Sequence, residues 1–146
     1  MREIKFRAWV YNYEHELFNM KMYPVSMIDF GEKLICVRDI YTDMYDNIMQ
    51  DRRLDEDGFA NYVLQYHECF LLEYSGVKDL MDNEIFEHDI VSYTINGKTK
   101  NGTVDFNDGF FHIIPNSGLA IELDEDNVDA YQISIVGNYY ENHDLL

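Results

Sequence analysis

Cysteine is scarce in this chain, which holds only Cys36 and Cys69 among its 146 residues. Each cysteine stands alone among apolar neighbours, and the two form no CxxC pair. This placement argues against a zinc site and against a disulfide framework. We therefore predict two reduced, buried thiols.

Long apolar runs are also missing. No stretch approaches the roughly 20 apolar residues that a membrane span needs. Charged side chains recur through the first seven residues, which is unlike a signal peptide. We expect a soluble cytoplasmic protein with no membrane partner.

Basic residues are few: 11 Lys and Arg stand against 28 Asp and Glu, a formal net charge of −17. The imbalance is strongest in residues 75–146, where 14 acidic and 3 basic side chains give −11. A surface of this sign repels phosphate backbones. The sequence therefore predicts no direct nucleic-acid binding, and it favours a protein partner or self-association.

Motifs for catalysis are missing as well. The chain has no GxSxG elbow, no Walker sequence and no HExxH, and its five histidines are scattered. We predict no enzyme activity, no cofactor, and no catalytic, cofactor-binding or metal-ligating residues. A carboxylate-based, metal-dependent hydrolase stays open as an alternative, provided that a pocket joins two or more of these side chains: Asp79, Asp89, Asp105 and His112.

The acidic segment Asp124 to Asp129 is the best candidate for a cation site, since it is dense in oxygen ligands. An EF-hand loop needs Gly at its sixth position and Glu at its twelfth. This segment has Asp129 and Ile135 there. We therefore interpret it as an acidic connector between strands.

Core-forming residues are plentiful, with 47% hydrophobic and 15% aromatic side chains. In residues 1–74, alternating apolar positions predict a first strand over 2–10, a hairpin partner that stops at Pro24, and a second hairpin around Gly31. Residues 39–58 read as a long surface loop. Residues 59–66 favour a short helical or irregular stretch, and 67–74 favour a strand.

Residues 75–146 carry five short stretches typical of strands, separated by Gly and Asn turns. The turn dipeptides are Asn96-Gly97 and Asn101-Gly102, and Asn107-Asp108-Gly109 is the clearest hairpin signal. This spacing predicts a small barrel or a strongly bent sheet. We distinguish two regions, residues 1–74 and 75–146, and expect them to form one compact unit.

Aromatic side chains are frequent in segments that we interpret as loops or ends of elements. Core and loop packing accounts for most of them, and the remainder would suit a protein interface. They are Tyr11, Tyr13, Phe18, Tyr23, Tyr41, Tyr45, Tyr139 and Tyr140.

Three blocks of the sequence, in order, resemble the YopX protein family. They are Arg2 to Trp9 at the start, Tyr74 to Val91 in the middle and Ile135 to Leu146 at the end. Two departures stand out. The family's turn commonly reads Asn-Gly where this chain has Met81-Asp82, and His88 stands where a glycine is usual.

The resemblance implies a bacteriophage or prophage origin, a mainly β fold whose residues 75–146 form an SH3-like barrel, and no assigned activity. We expect the N-terminal hairpins to pack on that barrel. The leading hypothesis is a phage accessory protein that acts through protein contacts in a bacterial host cell. An acidic mimic of DNA, which would occupy a nucleic-acid-binding protein, is the first alternative.

Overall fold

The structure is a computed structural model, and it describes residues 3–14, 16–40 and 61–146. These residues are mostly β-strand, with one α-helix, so the mainly β fold class is confirmed. The chain divides into two compact units. The first unit is Lys5–Leu71, and the second is Leu72–Leu146 together with the residues before Lys5. The predicted loop over 39–58 falls largely outside the described residues, as do Tyr41 and Tyr45.

The first unit contains two consecutive antiparallel hairpins, as predicted. Its strands are β1 (Phe6–Val10), β2 (Lys21–Asp29), β3 (Leu34–Arg38) and β4 (Asn61–Gln65), in the order β4-β3-β2-β1. The expected stop at Pro24 is wrong, because β2 continues to Asp29. Its pairing with β3 shifts between Val25 and Met27, directly after the proline. Strands tolerate proline at such bulges.

Strand β4 lies where we expected a short helical or irregular stretch over residues 59–66, so that interpretation is wrong. Tyr62 and Leu64 are buried, whereas Val63 between them is exposed. This period of two is the signature of a strand with one covered face. The short 3-10 helix Tyr66–Glu68 follows, and β5 (Cys69–Lys78) then fulfils the prediction of a strand near 67–74.

The core of the first unit uses aromatic residues that we had assigned to loops. The Phe18 ring stacks on the Tyr23 ring with centroids 4.4 Å apart, and the Tyr23 hydroxyl donates to the Phe18 carbonyl at 2.9 Å. Burial raises the pKa of the Cys69 thiol to about 11, so this thiol packs as a neutral side chain. Cys36 is only half-buried, which corrects the prediction of two buried thiols.

The second unit contains a five-stranded antiparallel sheet. Its strands are β7 (Asp89–Ile95), β8 (Lys98–Asn107), β9 (Phe110–Pro115), β10 (Ile121–Glu122) and β11 (Ser134–Asn138), in the order β10-β9-β8-β7-β11. Strand β6 (Glu84–Phe86) pairs with β5. The five predicted stretches of residues 75–146 therefore all become strands.

Two of the three predicted turns close hairpins. Asn96-Gly97 joins β7 to β8, Asp108-Gly109 joins β8 to β9, and all four residues have positive φ. Such pairs favour the tight turn whose twist matches the flanking strands. The third prediction is wrong, because Asn101-Gly102 lies within β8.

The acidic connector is a helix, Glu125–Tyr131. The Asp124 carboxylate caps it by accepting the Asn127 amide proton at 2.7 Å, and Gln132 ends it in a left-handed conformation. Carboxylates are favourable at the amino end of a helix, both as caps and through the dipole. The density of acids in this segment therefore has a structural explanation.

Apolar side chains from the five-stranded sheet, from β6, from the helix and from the segment before β11 fill one core in the second unit. The fully buried members include Ile85, Val91, Val104, Ile113 and Ile133. Gly102 contributes by lacking a side chain, because a Cβ there would lie 2.6 Å from Ile113 Cγ2 and 2.9 Å from the Ile114 carbonyl oxygen. The absent side chain lets β8 and β9 approach at this point.

We expect Gly102→Ala to lower the free energy of unfolding by about 1 to 3 kcal/mol, the usual cost of overpacking a core. Urea denaturation measures the change. Gly31→Ala is the matched control, since its nearest neighbour would be the Asp29 side chain at 3.4 Å. Equal stability of both variants would contradict this account of Gly102.

Candidate functional site

The solvent-exposed face of the five-stranded sheet carries an open cleft of about 420 Å³. It lies wholly within the second unit. Clefts of this size suit a small ligand or a single inserted side chain. The lining residues are His88, Thr103, Asp105, Ile114, Pro115, Asn116 and Tyr139.

Backbone hydrogen bonds around His88 bring the cleft residues together from three neighbouring strands. The His88 amide donates to the Val104 carbonyl of β8 at 2.8 Å, and the Tyr139 amide donates to the His88 carbonyl at 2.8 Å. His88 immediately precedes β7, and Tyr139 immediately follows β11. The sheet itself therefore sets the spacing between His88, Tyr139 and Asp105.

His88 occupies a left-handed backbone conformation, with φ of 64°. A non-glycine residue seldom adopts this conformation, and it costs of the order of 1 kcal/mol or more. The geometry accounts for the glycine that the YopX resemblance places here. The imidazole is a candidate functional group because His88 lines the cleft.

The His88 ring bridges a carboxylate and a phenol. Its Nδ1 lies 2.6 Å from the Tyr140 hydroxyl, and its Nε2 lies 3.5 Å from Asp105 Oδ1. The ring therefore lies between Asp105 and Tyr140 and contacts both of them.

Tyr139 forms an aromatic wall of the cleft. Its ring meets the Tyr140 ring edge to face at 5.5 Å and the His143 ring in the same way at 4.9 Å. The Asn138 side-chain oxygen accepts the amides of Tyr140 and Glu141, both at 3.0 Å, and fixes this turn. Tyr139 nevertheless stays 43% exposed. Tyr139 belongs to the set of aromatic residues of which we expect some to remain available for a protein interface.

The rest of the outer face combines apolar and polar side chains. Phe110, His112 and Ile114 alternate along β9 and share this face, while Phe111 and Ile113 point into the core. Phe110 is 57% exposed and its ring contacts the His112 ring edge to face. We use the name outer face for Thr103, Asp105, Phe110, His112 and Ile114 together with Tyr139.

Asp79 lines a second cleft of about 410 Å³, but its carboxylate is occupied. Oδ1 accepts the amides of Met81 and Asn83, and Oδ2 accepts the amide of Ile135, each at 2.9 Å. Asp79 therefore holds this turn, and Asp82 supplies its left-handed residue, with φ of 66°.

The four side chains of the hydrolase alternative do not meet in one cleft. Asp89 is 1% exposed and its Oδ2 accepts the Phe86 amide at 2.8 Å. Asp105 and His112 are cross-strand partners on the outer face, whereas Asp79 lies in the second cleft. Within residues 3–14, 16–40 and 61–146, no group of three or more His, Cys, Asp or Glu is arranged to hold a metal ion.

Sequence reasoning missed the contact between His88, Asp105 and Tyr140. These residues are up to 52 positions apart, and only the sheet pairing joins them. The usable signal was His88 itself, a side chain at a position where the resemblance leads one to expect glycine.

Among the described residues, no helix is long and apolar enough to cross a membrane.

Comparison with known proteins gives a family and a fold. The family model described as YopX protein matches residues 5–146, which confirms the resemblance over nearly the whole chain. The crystal structure of protein EF1440 from Enterococcus faecalis is similar, with a TM-score of 0.62 and 18% identity over 100% of this chain and 99% of that one. No curated protein matches.

We expect Asp79→Ala to lower the free energy of unfolding by about 3 kcal/mol, because buried amides that lose their acceptor are costly. Thermal and urea denaturation measure this loss. Asp82→Asn serves as control, since asparagine tolerates the left-handed conformation and the Asp82 side chain is 84% exposed. A loss below 1 kcal/mol for Asp79→Ala would show that the carboxylate does not hold this turn.

Proposed function

We propose that this chain, which belongs to the YopX protein family, is a non-enzymatic interaction module that binds a basic protein through its outer face. We propose further that it acts as an accessory protein of a bacteriophage or prophage in the host cytoplasm. The observation that carries the proposal is the set of exposed aromatic and apolar side chains on the outer face.

Three large apolar side chains are exposed together on this face. Phe110 is 57% exposed, Ile114 36% and Tyr139 43%. Single exposed apolar residues are ordinary, whereas several on one rigid surface indicate a contact site. Aromatic residues are especially frequent at such sites, because they bring large contact area at low entropic cost.

The charge of the surrounding surface favours a basic partner. Residues 75–146 carry a net charge of −11, with only three lysines. One of these, Lys78, lies 3.7 Å from the Asp82 carboxylate. A field of this sign speeds the approach of a cationic protein and repels nucleic acid.

The two alternatives are a DNA mimic and a carboxylate-based hydrolase. A DNA mimic is a special case of the proposal, in which the basic partner is a nucleic-acid-binding protein and duplex DNA competes with the chain. The carboxylate hydrolase is weaker, because Asp79 and Asp89 are occupied by backbone amides. Self-association is distinguished by the mass of the purified chain in solution.

Phe110→Ser is the test variant. The immobilised chain is exposed to lysate of a bacterial host at two salt concentrations. Surface charge is weakly screened at about 0.05 M salt and strongly screened at about 0.3 M. We expect basic proteins to be captured at low salt and released at high salt. Phe110→Ser should lower the captured amount at least about tenfold, as for a hot-spot aromatic residue.

Phe30→Ser is the matched control, because Phe30 is 76% exposed and belongs to the first unit. It should capture the same proteins as the unaltered chain. Equal capture by the two variants, or capture without any preference for basic proteins, would overturn the proposal.

A further inference from the structure

We infer that the cleft on the outer face receives a cationic side chain of the partner, an arginine in preference to a lysine. The inference rests on the proposed function and names the group that the site recognises.

Charge complementarity points to a cation. Asp105 is the one lining side chain that is a carboxylate, and none of the described lining residues is Lys or Arg. The Asp105 side chain is 43% exposed, so an incoming group can reach it.

The walls of the cleft suit the rest of such a side chain. Ile114 and Pro115 offer apolar surface for the methylene groups of arginine or lysine, which pack along apolar atoms while the charged end stays polar. The Tyr139 ring offers a partner for cation–π contact. Arginine should bind more tightly, because its planar guanidinium can pair with a carboxylate and stack on a ring.

The cleft is also held in place before a ligand arrives. Both backbone groups of His88 are hydrogen-bonded, its ring contacts Asp105 and Tyr140, and Asn138 fixes the turn that carries Tyr139. Rigid binding groups lose less entropy on association. The strained φ of 64° at His88 is retained by these contacts.

The test is an amide NMR titration of the intact chain with three capped amino acids. The probes are N-acetyl-argininamide, N-acetyl-lysinamide and the neutral isostere N-acetyl-citrullinamide. We expect saturable shifts at Asp105 and Tyr139 with arginine, weaker ones with lysine, and none with citrulline at the same concentration.

Asp105→Asn should weaken arginine binding at least about tenfold, since it removes the charge and keeps the side-chain shape. Asp108→Asn is the matched control, because it removes one carboxylate of the exposed turn between β8 and β9, where asparagine also tolerates positive φ. It should bind arginine as the unaltered chain does. Equal binding of arginine by both variants, or of citrulline and arginine by the unaltered chain, would overturn the inference.

Capture from lysate separates this inference from the proposed function. If Asp105→Asn captures the basic partner as well as the unaltered chain while Phe110→Ser does not, the cleft inference fails and the proposed function stands. If arginine binds with the expected dependence on Asp105 and no basic protein is captured, the cleft is a cation site and the proposed function fails.

Discussion

The backbone hydrogen bonds of His88 are the constraint on which the outer face depends. Through its amide and its carbonyl, this residue ties β8 to the turn after β11, and both bonds are 2.8 Å long. His88 has a left-handed backbone conformation there, with φ of 64°. Because the backbone is fixed there, the imidazole is directed toward both Asp105 and Tyr140, and Tyr139 is placed beside it.

The polar residues of this chain divide into those that hold the fold and those that face solvent. Three carboxylates accept hydrogen bonds from backbone amides: those of Asp79, Asp89 and Asp124. Part of the acidic residues therefore stabilises turns and one helix end. Asp105 has no comparable backbone role among the contacts of the described residues, and it points into a cleft. This division leaves the Asp105 carboxylate available for the recognition role that we propose.

Much of the fold could be predicted from local pattern, because strand alternation and turn dipeptides are short-range signals. Asp108-Gly109 is such a signal and closes a hairpin, whereas Asn101-Gly102 looks the same and lies inside β8. Asn101 and Gly102 pair with Ser92 and Val91 of β7, and the glycine is needed there because Ile113 and Ile114 across the sheet leave no room for a side chain. The site itself could not be predicted, since the pairing of β7 with β8 and β11 decides which distant residues meet His88.

The central claim is that a basic protein is bound on the outer face of the second unit. Hydrogen–deuterium exchange of the chain, free and with its captured partner, tests this claim most directly. We expect slower exchange on binding within residues 103–105, 110–116 and 138–140, with strands β2 to β4 unchanged. Protection confined to β2, β3 and β4, with no change around the cleft, would contradict the account.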